Sequence, residues 1–172
     1  MKKLVIILTC IAALLLGASA FVDNRREAAI GNHAPSVVIG EGDDAVSLEA
    51  LKGKWVVLSF WSAADAGSRL GRNQIEAFFR GPGADAAADV EVVSVNFDRS
   101  SQLMNEIIKH DNLMGSHHHV ASPETMDALR AAFRMDNGLR SFVINPDGEL
   151  VAADPTPNDL CLLYTSDAAD EL

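Results

Sequence analysis

Apolar and polar positions alternate between two periods along this chain, and the switches predict its elements. Trp55 to Phe60, "WVVLSF", is a continuous apolar, β-rich run that predicts a strand buried on both faces. A helical pattern follows from about Ala66 to Arg80, with Ile75, Phe78 and Phe79 on one face, Gly71 as a weak point and "RGPG" as its stop. "VEVVSVNFD", Val90 to Asp98, predicts a second buried strand. Ser100 or Ser101 then caps a helix whose Leu103, Ile107 and Ile108 face inward, and "DNLMGSHHHV" is expected to be a loop. Ser122 and Pro123 supply an N-cap and a first helical residue, ahead of an apolar stripe at Met126, Leu129 and Phe133. "SFVINPDGELVAAD" predicts a hairpin turning at Asn145-Pro146-Asp147-Gly148. Upstream, "SLEALKGK" predicts a short helical turn ended by Gly53. The order strand, helix, strand, helix, helix, strand, strand predicts an α/β domain. Its first strands are parallel through a helical crossover, and a hairpin adds antiparallel strands to the same central mixed sheet flanked by helices.

The two ends read differently. Residues 1–20 combine Lys2 and Lys3, an apolar run shorter than a membrane span and the small residues Ala18-Ser19-Ala20, the pattern of a secretory signal peptide. Cys10 raises a lipoprotein alternative, but Thr9 is a poor residue before a lipidated cysteine, so cleavage after Ala20 is preferred. Residues 21–30 read as a polar linker and 31–160 as the domain. Thr156, Pro157 and Asp159 signal the start of a closing helix. Beyond it, "CLLYTSDAADE" resembles an in-frame translation of a sequencing-library adapter, so residues 161–172 are set aside and the closing helix is expected to be truncated.

This division changes the chemistry. The chain has 2 cysteines, Cys10 and Cys161, and both lie outside residues 21–160. That stretch can form no disulfide and offers no thiol. The net charge of −10, from 14 basic and 24 acidic residues, argues against a general nucleic-acid binder. No phosphate-binding glycine loop, paired-carboxylate signature or G-x-S-x-G context is present.

"GNHAPSVVI" (Gly31 to Ile39), "SLEALKGKWVVLSFW" (Ser47 to Trp61), "VEVVSVNFD" and "FVINPDGELV" (Phe142 to Val151) together resemble the TlpA-like thioredoxin family, close to the redoxin and peroxiredoxin group. The resemblance implies a thioredoxin-like fold and a thiol-disulfide oxidoreductase working outside the cytoplasm. It also implies two cysteines just after the aromatic "FW" and a cis-proline before the late apolar strand. Asp65 and Ser68 stand at the cysteine positions, and Leu139 stands at the proline position.

The residues at that junction keep the physics of a helix start. A helix N-terminus stabilises any anion, so Asp65 is expected to cap the helix while being unable to form a mixed disulfide. Ser68 reads as a first-turn serine, and Arg69 with Arg72 as a solvated helix face or a small anion-binding edge. Phe60, Trp61, Asp65 and Arg69 are candidate partner-binding residues; the alternative for Trp61 is packing over the sheet. His117, His118 and His119 could reach one metal ion in a loop, whereas in a strand they would alternate between faces. No catalytic residue and no cofactor are expected. The leading expectation is an exported, redox-inactive domain that binds an envelope protein or peptide. It meets no nucleic acid, and meets membrane only through its signal or a lipid anchor. An oxidoreductase using thiols from a partner or from further C-terminal sequence, and a histidine-cluster metal protein, are the alternatives.

Overall fold

The structure, a computed structural model, describes residues 28–81, 90–113 and 117–161. A small antiparallel pair, β1 (Val38–Ile39) and β2 (Val46–Ser47), precedes a 3-10 turn at Leu48–Leu51. The main elements are then β3 (Trp55–Trp61), α1 (Ala66–Arg80), β4 (Val90–Asn96), α2 (Ser101–His110), β5 (His117–Val120), α3 (Pro123–Ala132), β6 (Ser141–Ile144) and β7 (Leu150–Ala153). The five long-range strands form one sheet in the order β5-β4-β3-β6-β7. β3 is parallel to β4 and antiparallel to β6, and β4 is parallel to β5. The sheet is therefore mixed, as expected.

Helices cover both faces, which is why β3 is apolar at nearly every position. On one face Val57 and Val143 pack under Ile75, Phe78 and Phe79 of α1, together with Leu160. The same face carries Trp61 against Met104, Ile107 and Ile108 of α2. On the other face Val56, Leu58, Phe60 and Phe142 meet Met126, Leu129 and Phe133. Caps fix the helix starts: Ser100 Oγ accepts from Leu103 N, and Ser122 Oγ accepts from Thr125 N. The hairpin turn closes through Gly148 N to Asn145 O at 2.9 Å, with Gly148 at φ 85, a value that favours glycine. At the far end Thr156 Oγ1 accepts from Asp159 N at 3.3 Å and Asp159 Oδ2 accepts from Thr156 N at 2.8 Å, a reciprocal cap on the helical residues 157–161.

Two expectations are corrected here. Leu103 is exposed; Met104, one residue on, joins Ile107 and Ile108 against Trp61 and Leu113, and Leu103 falls off that arc. The histidine segment is a strand, not a loop. Its register with β4 (Val93↔His117, Ser94↔His118, Val95↔His119) supplies long-range backbone bonds that local propensity does not announce. The linker 21–30 lies outside the described residues except for its last three, and the signal segment lies wholly outside them.

Candidate functional site

The end of β3 feeds a short loop, residues 62–65, that delivers the chain into α1. Asp98, just past β4, pins this loop. Its carboxylate accepts from Ser62 Oγ, Ala63 N and Asn96 Nδ2, each at 2.7 Å. Asp65 is then the N-cap of α1, its Oδ1 accepting from Ser68 N at 3.0 Å. The carboxylate thus sits in the field of the helix's unpaired N–H groups. Ser68 Oγ donates to the Asp65 carbonyl at 3.1 Å and accepts from Ser62 N at 3.4 Å. Its proton is committed to a backbone carbonyl rather than to a general base, so the geometry does not activate it as a nucleophile.

Asp65, Ser68 and Leu139 come together, lining one cleft of about 610 Å³ with Leu70, Arg134 and Arg140. Leu139 packs partly against the core, and no cis peptide bond occurs among the described residues. The three positions singled out in the sequence therefore line one cleft.

The aromatic pair does not join them. Phe60 and Trp61 are both 0% exposed, so neither can anchor a partner. The reason is the two-sided cover of β3. Phe60 points into an aromatic cluster with Phe97, Phe133 and Phe142. Trp61 points the other way, donates Nε1–H to Ser94 Oγ at 2.8 Å, and is roofed by the Arg72 guanidinium 3.7 Å from its ring centroid.

Arg69 and Arg72 are not a solvated face either. Arg69 grips Asp111 with two bonds, Nε to Oδ2 at 2.9 Å and Nη2 to Oδ1 at 2.6 Å. Arg72, 1% exposed, donates Nη2–H to Asp111 Oδ2 at 3.1 Å. These bonds, the Arg69 pair first, hold the Asp111 carboxyl well below its usual range, while burial pushes Arg72 down to about 10.

The histidines do not converge. His117 is exposed and pairs with Glu91 at 2.9 Å; His118 turns toward α1, its Nε2 3.8 Å from Glu76 Oε1. His119 lies on the opposite face, so close to Gly40 that a Cβ there would sit 2.7 Å from His119 Nδ1. No group of three or more metal-ligating side chains occurs among the described residues. The metal reading is corrected by strand alternation. Burial is the main cause that lowers both inner histidines, His118 to about 4 with Arg72 adding to it.

Sequence reasoning missed a buried polar belt beneath α1. Ser141, Ser59, Ser94 and His118 lie in register across four strands, and Arg72 and Glu76 cover them from the helix. Helical spacing held the signal: Arg72 and Glu76 share the inward face of Ile75 and Phe79.

By sequence, the AhpC/TSA family matches residues 30–153. The chain belongs to the AhpC/TSA family. The search of the curated proteins finds no match. Among solved structures, the chain is similar to a thiol:disulfide interchange protein from Bacteroides sp., at 20% identity and TM-score 0.67, covering 81% of this chain and 90% of that one. It is similar to a thioredoxin-like protein from Parabacteroides distasonis, at 25% identity and TM-score 0.64, covering 81% and 96%. It is also similar to a secreted thiol-disulfide isomerase from Corynebacterium glutamicum, at 16% identity and TM-score 0.59, covering 74% and 80%. The fold is thioredoxin-like, the fold of the thiol-disulfide oxidoreductase family. No helix among the described residues is long and apolar enough to cross a membrane.

Proposed function

We propose that this protein is an exported, redox-inactive thioredoxin-like domain that binds a protein or peptide of the cell envelope through the cleft at the start of α1. One observation carries the reading: the anion held by the helix N-terminus, in the cleft shared with Ser68 and Leu139, is the carboxylate of Asp65. A carboxylate cannot attack a disulfide sulfur and leave a mixed disulfide, so the position keeps the anchoring role of a thiolate and drops its redox role. Export is supported by the charged and apolar pattern of residues 1–20.

The test is turnover of a disulfide substrate by the purified chain with dithiothreitol or a reductase as electron donor. A Cys161→Ser variant runs in parallel, because that exposed thiol is the one among the described residues. No acceleration over the donor alone is expected from either protein. Turnover that survives Cys161→Ser would overturn the redox-inactive reading. Fractionation of expressing cells tests export, and retention of the full-length precursor in the cytoplasm would refute it.

A further inference from the structure

We infer that Asn137 is a site of spontaneous deamidation, where attack by the Gly138 backbone nitrogen turns the side-chain amide into a carboxylate on the wall of the cleft. Asn137-Gly138 is the one Asn-Gly pair in the chain. A glycine after the asparagine leaves the attacking N–H unshielded by a side chain and the backbone free to swing. The pair sits in the segment 136–140, between α3 and β6. Both ends of that segment are pinned, by Met135 N to Arg130 O at 2.9 Å and by Phe60 N to Arg140 O at 3.0 Å. Between the pins Asn137 is exposed and Gly138 stands at φ 128. No atom beyond the adjoining residues lies within 4 Å of the place a Cβ on Gly138 would take. Among the described residues the Gly138 N–H enters none of the turn and loop backbone hydrogen bonds, so it is available to react.

Comparable sites are closed to this reaction. Asp147-Gly148 has the same local chemistry for isomerisation, but Gly148 N donates to Asn145 O at 2.9 Å, and the place of its Cβ lies 3.3 Å from Lys52 Cε. Asn145 precedes Pro146, which has no N–H to attack, and Asn145 Oδ1 accepts from Glu149 N at 2.8 Å. Asn96 is buried, with its Nδ2 on Asp98 at 2.7 Å. Asn112 precedes Leu113, whose N donates to Ile108 O at 2.9 Å. Asn73 lies inside α1, and its side chain bonds to Arg72 and Asp111.

The reaction consumes water and nothing else. Gly138 N loses its proton and bonds to Asn137 Cγ, and the Cγ–Nδ2 bond breaks as ammonia leaves with that proton. The cyclic imide then takes up water, whose oxygen completes a carboxylate while a hydrogen restores the Gly138 N–H. Opening at Cγ gives aspartate. Opening at the Asn137 backbone carbonyl gives isoaspartate, whose main chain runs through Cβ and Cγ and is one carbon longer. Asn137, Gly138 and Leu139 line the cleft with Asp65, Arg134 and Arg140. Either product therefore adds a negative charge to that wall. Isoaspartate also lengthens a segment whose two ends are pinned, which shifts Gly138 and Leu139. The reaction does not depend on what the cleft binds.

Tryptic mass spectrometry of the full chain, held folded at neutral pH over several weeks, tests the site. Cleavage after Arg134 and Arg140 releases the peptide Met135–Arg140. The expected result is a gain of about 1 Da in that peptide, the difference between an amide NH2 and a hydroxyl, ahead of any other asparagine. The product should resolve into two forms that co-elute with synthetic aspartate and isoaspartate peptides. Asn137→Gln, whose longer side chain cannot close the same ring, should show no gain over that period. Position 137 is exposed, so this variant keeps the fold. A synthetic peptide of residues 135–140 sets the pace of the unhindered reaction. Three results would each overturn the inference: a folded chain unchanged once that peptide has converted, aspartate without isoaspartate, which excludes attack by Gly138 N, or earlier conversion of another asparagine.

Discussion

Replacing Asp111 by asparagine should destabilise the domain by about 3–5 kcal/mol, the usual cost of breaking a buried ion pair by removing one partner. The size follows from what the carboxylate holds. Asp111 is 7% exposed and accepts from Arg69 Nε and Nη2, Arg72 Nη2 and Asn73 Nδ2. Asparagine keeps the shape and one acceptor oxygen but loses the charge. Arg69 is 31% exposed and can turn to water at little cost. Arg72 cannot, because it lies over the Trp61 ring at 1% exposure. Arg72 keeps Glu76 facing it but loses its hydrogen-bonded anion where water cannot replace it, and this carries most of the loss. Urea unfolding followed by circular dichroism, with the slope m unchanged, measures the effect. Adding Arg72→Met should recover part of it, since removing both partners of a buried pair is far cheaper than removing one. The pH dependence adds an independent reading. The lowered carboxyl stabilises the fold above its unfolded value of 3.8, and this contribution is lost as pH falls below that value. Asp111→Asn should lack that acid-dependent part. A loss below about 1 kcal/mol, or a double variant no more stable than the single one, would refute the argument.

Asp65→Ala should cost about 1 kcal/mol in the same unfolding assay, the value of an N-cap, and an unchanged midpoint would contradict the capping role. Met104→Ala should cost about 2–5 kcal/mol while Leu103→Ala stays within about 0.5, and the reverse order would show that α2 packs by the other arc. Joint replacement Asp65→Cys and Ser68→Cys should place an acidic thiol at position 65, with a pKa below the free value of about 8.5 read from thiolate absorbance; a value at or above 8.5 would show that the helix field does not reach the cap. Between pH 6.5 and 4 the wild type should lose about 3 kcal/mol of stability that His118→Phe retains, because the folded imidazole resists a proton that the unfolded one accepts.

What the sequence disclosed was local. Trp55 to Phe60 marked a strand because a run of five apolar residues broken only by Ser59 has few other uses, and Asn145 to Gly148 marked a turn by residue chemistry alone. Asp65 and Ser122 announced their helices because a cap is a three-residue event. What stayed hidden depended on distance. β5 is a strand because β4 offers an edge in the folded sheet, while "HHHV" alone carries no strand pattern. Arg72 looked like a surface charge because its partner, Asp111, is 39 residues away in the chain. For Trp61 the sequence left a partner anchor and packing over the sheet side by side, and packing holds, because Arg72 and α2, from separate elements, close over it. The same concealment moved the candidate site, from an aromatic anchor to a cleft between a cap and Leu139.

The buried belt bears on why a helix start without sulfur remains in place. α1 is anchored twice. At its tip Asp65 satisfies Ser68 N–H, and the loop before it is tied to Asp98. Along its length Arg72 and Arg69 are tied to Asp111, at the far end of α2. Neither anchor uses a thiol. The cleft lined by Asp65, Ser68 and Leu139 is therefore held by these anchors and by the packing of Ile75, Phe78 and Phe79 on the sheet, none of which involves a thiol. A cleft of that kind suits a binding surface, whose geometry must stay constant, better than a thiol pair, whose bonding must change in every cycle. The two anchors also differ in kind. Loss of the Asp65 cap weakens one end of α1 by about 1 kcal/mol, whereas loss of Asp111 leaves a buried charge under the middle of the helix. If the cleft binds a partner, Asp65→Ala should alter the contact surface directly, and Asp111→Asn should alter it only by moving α1.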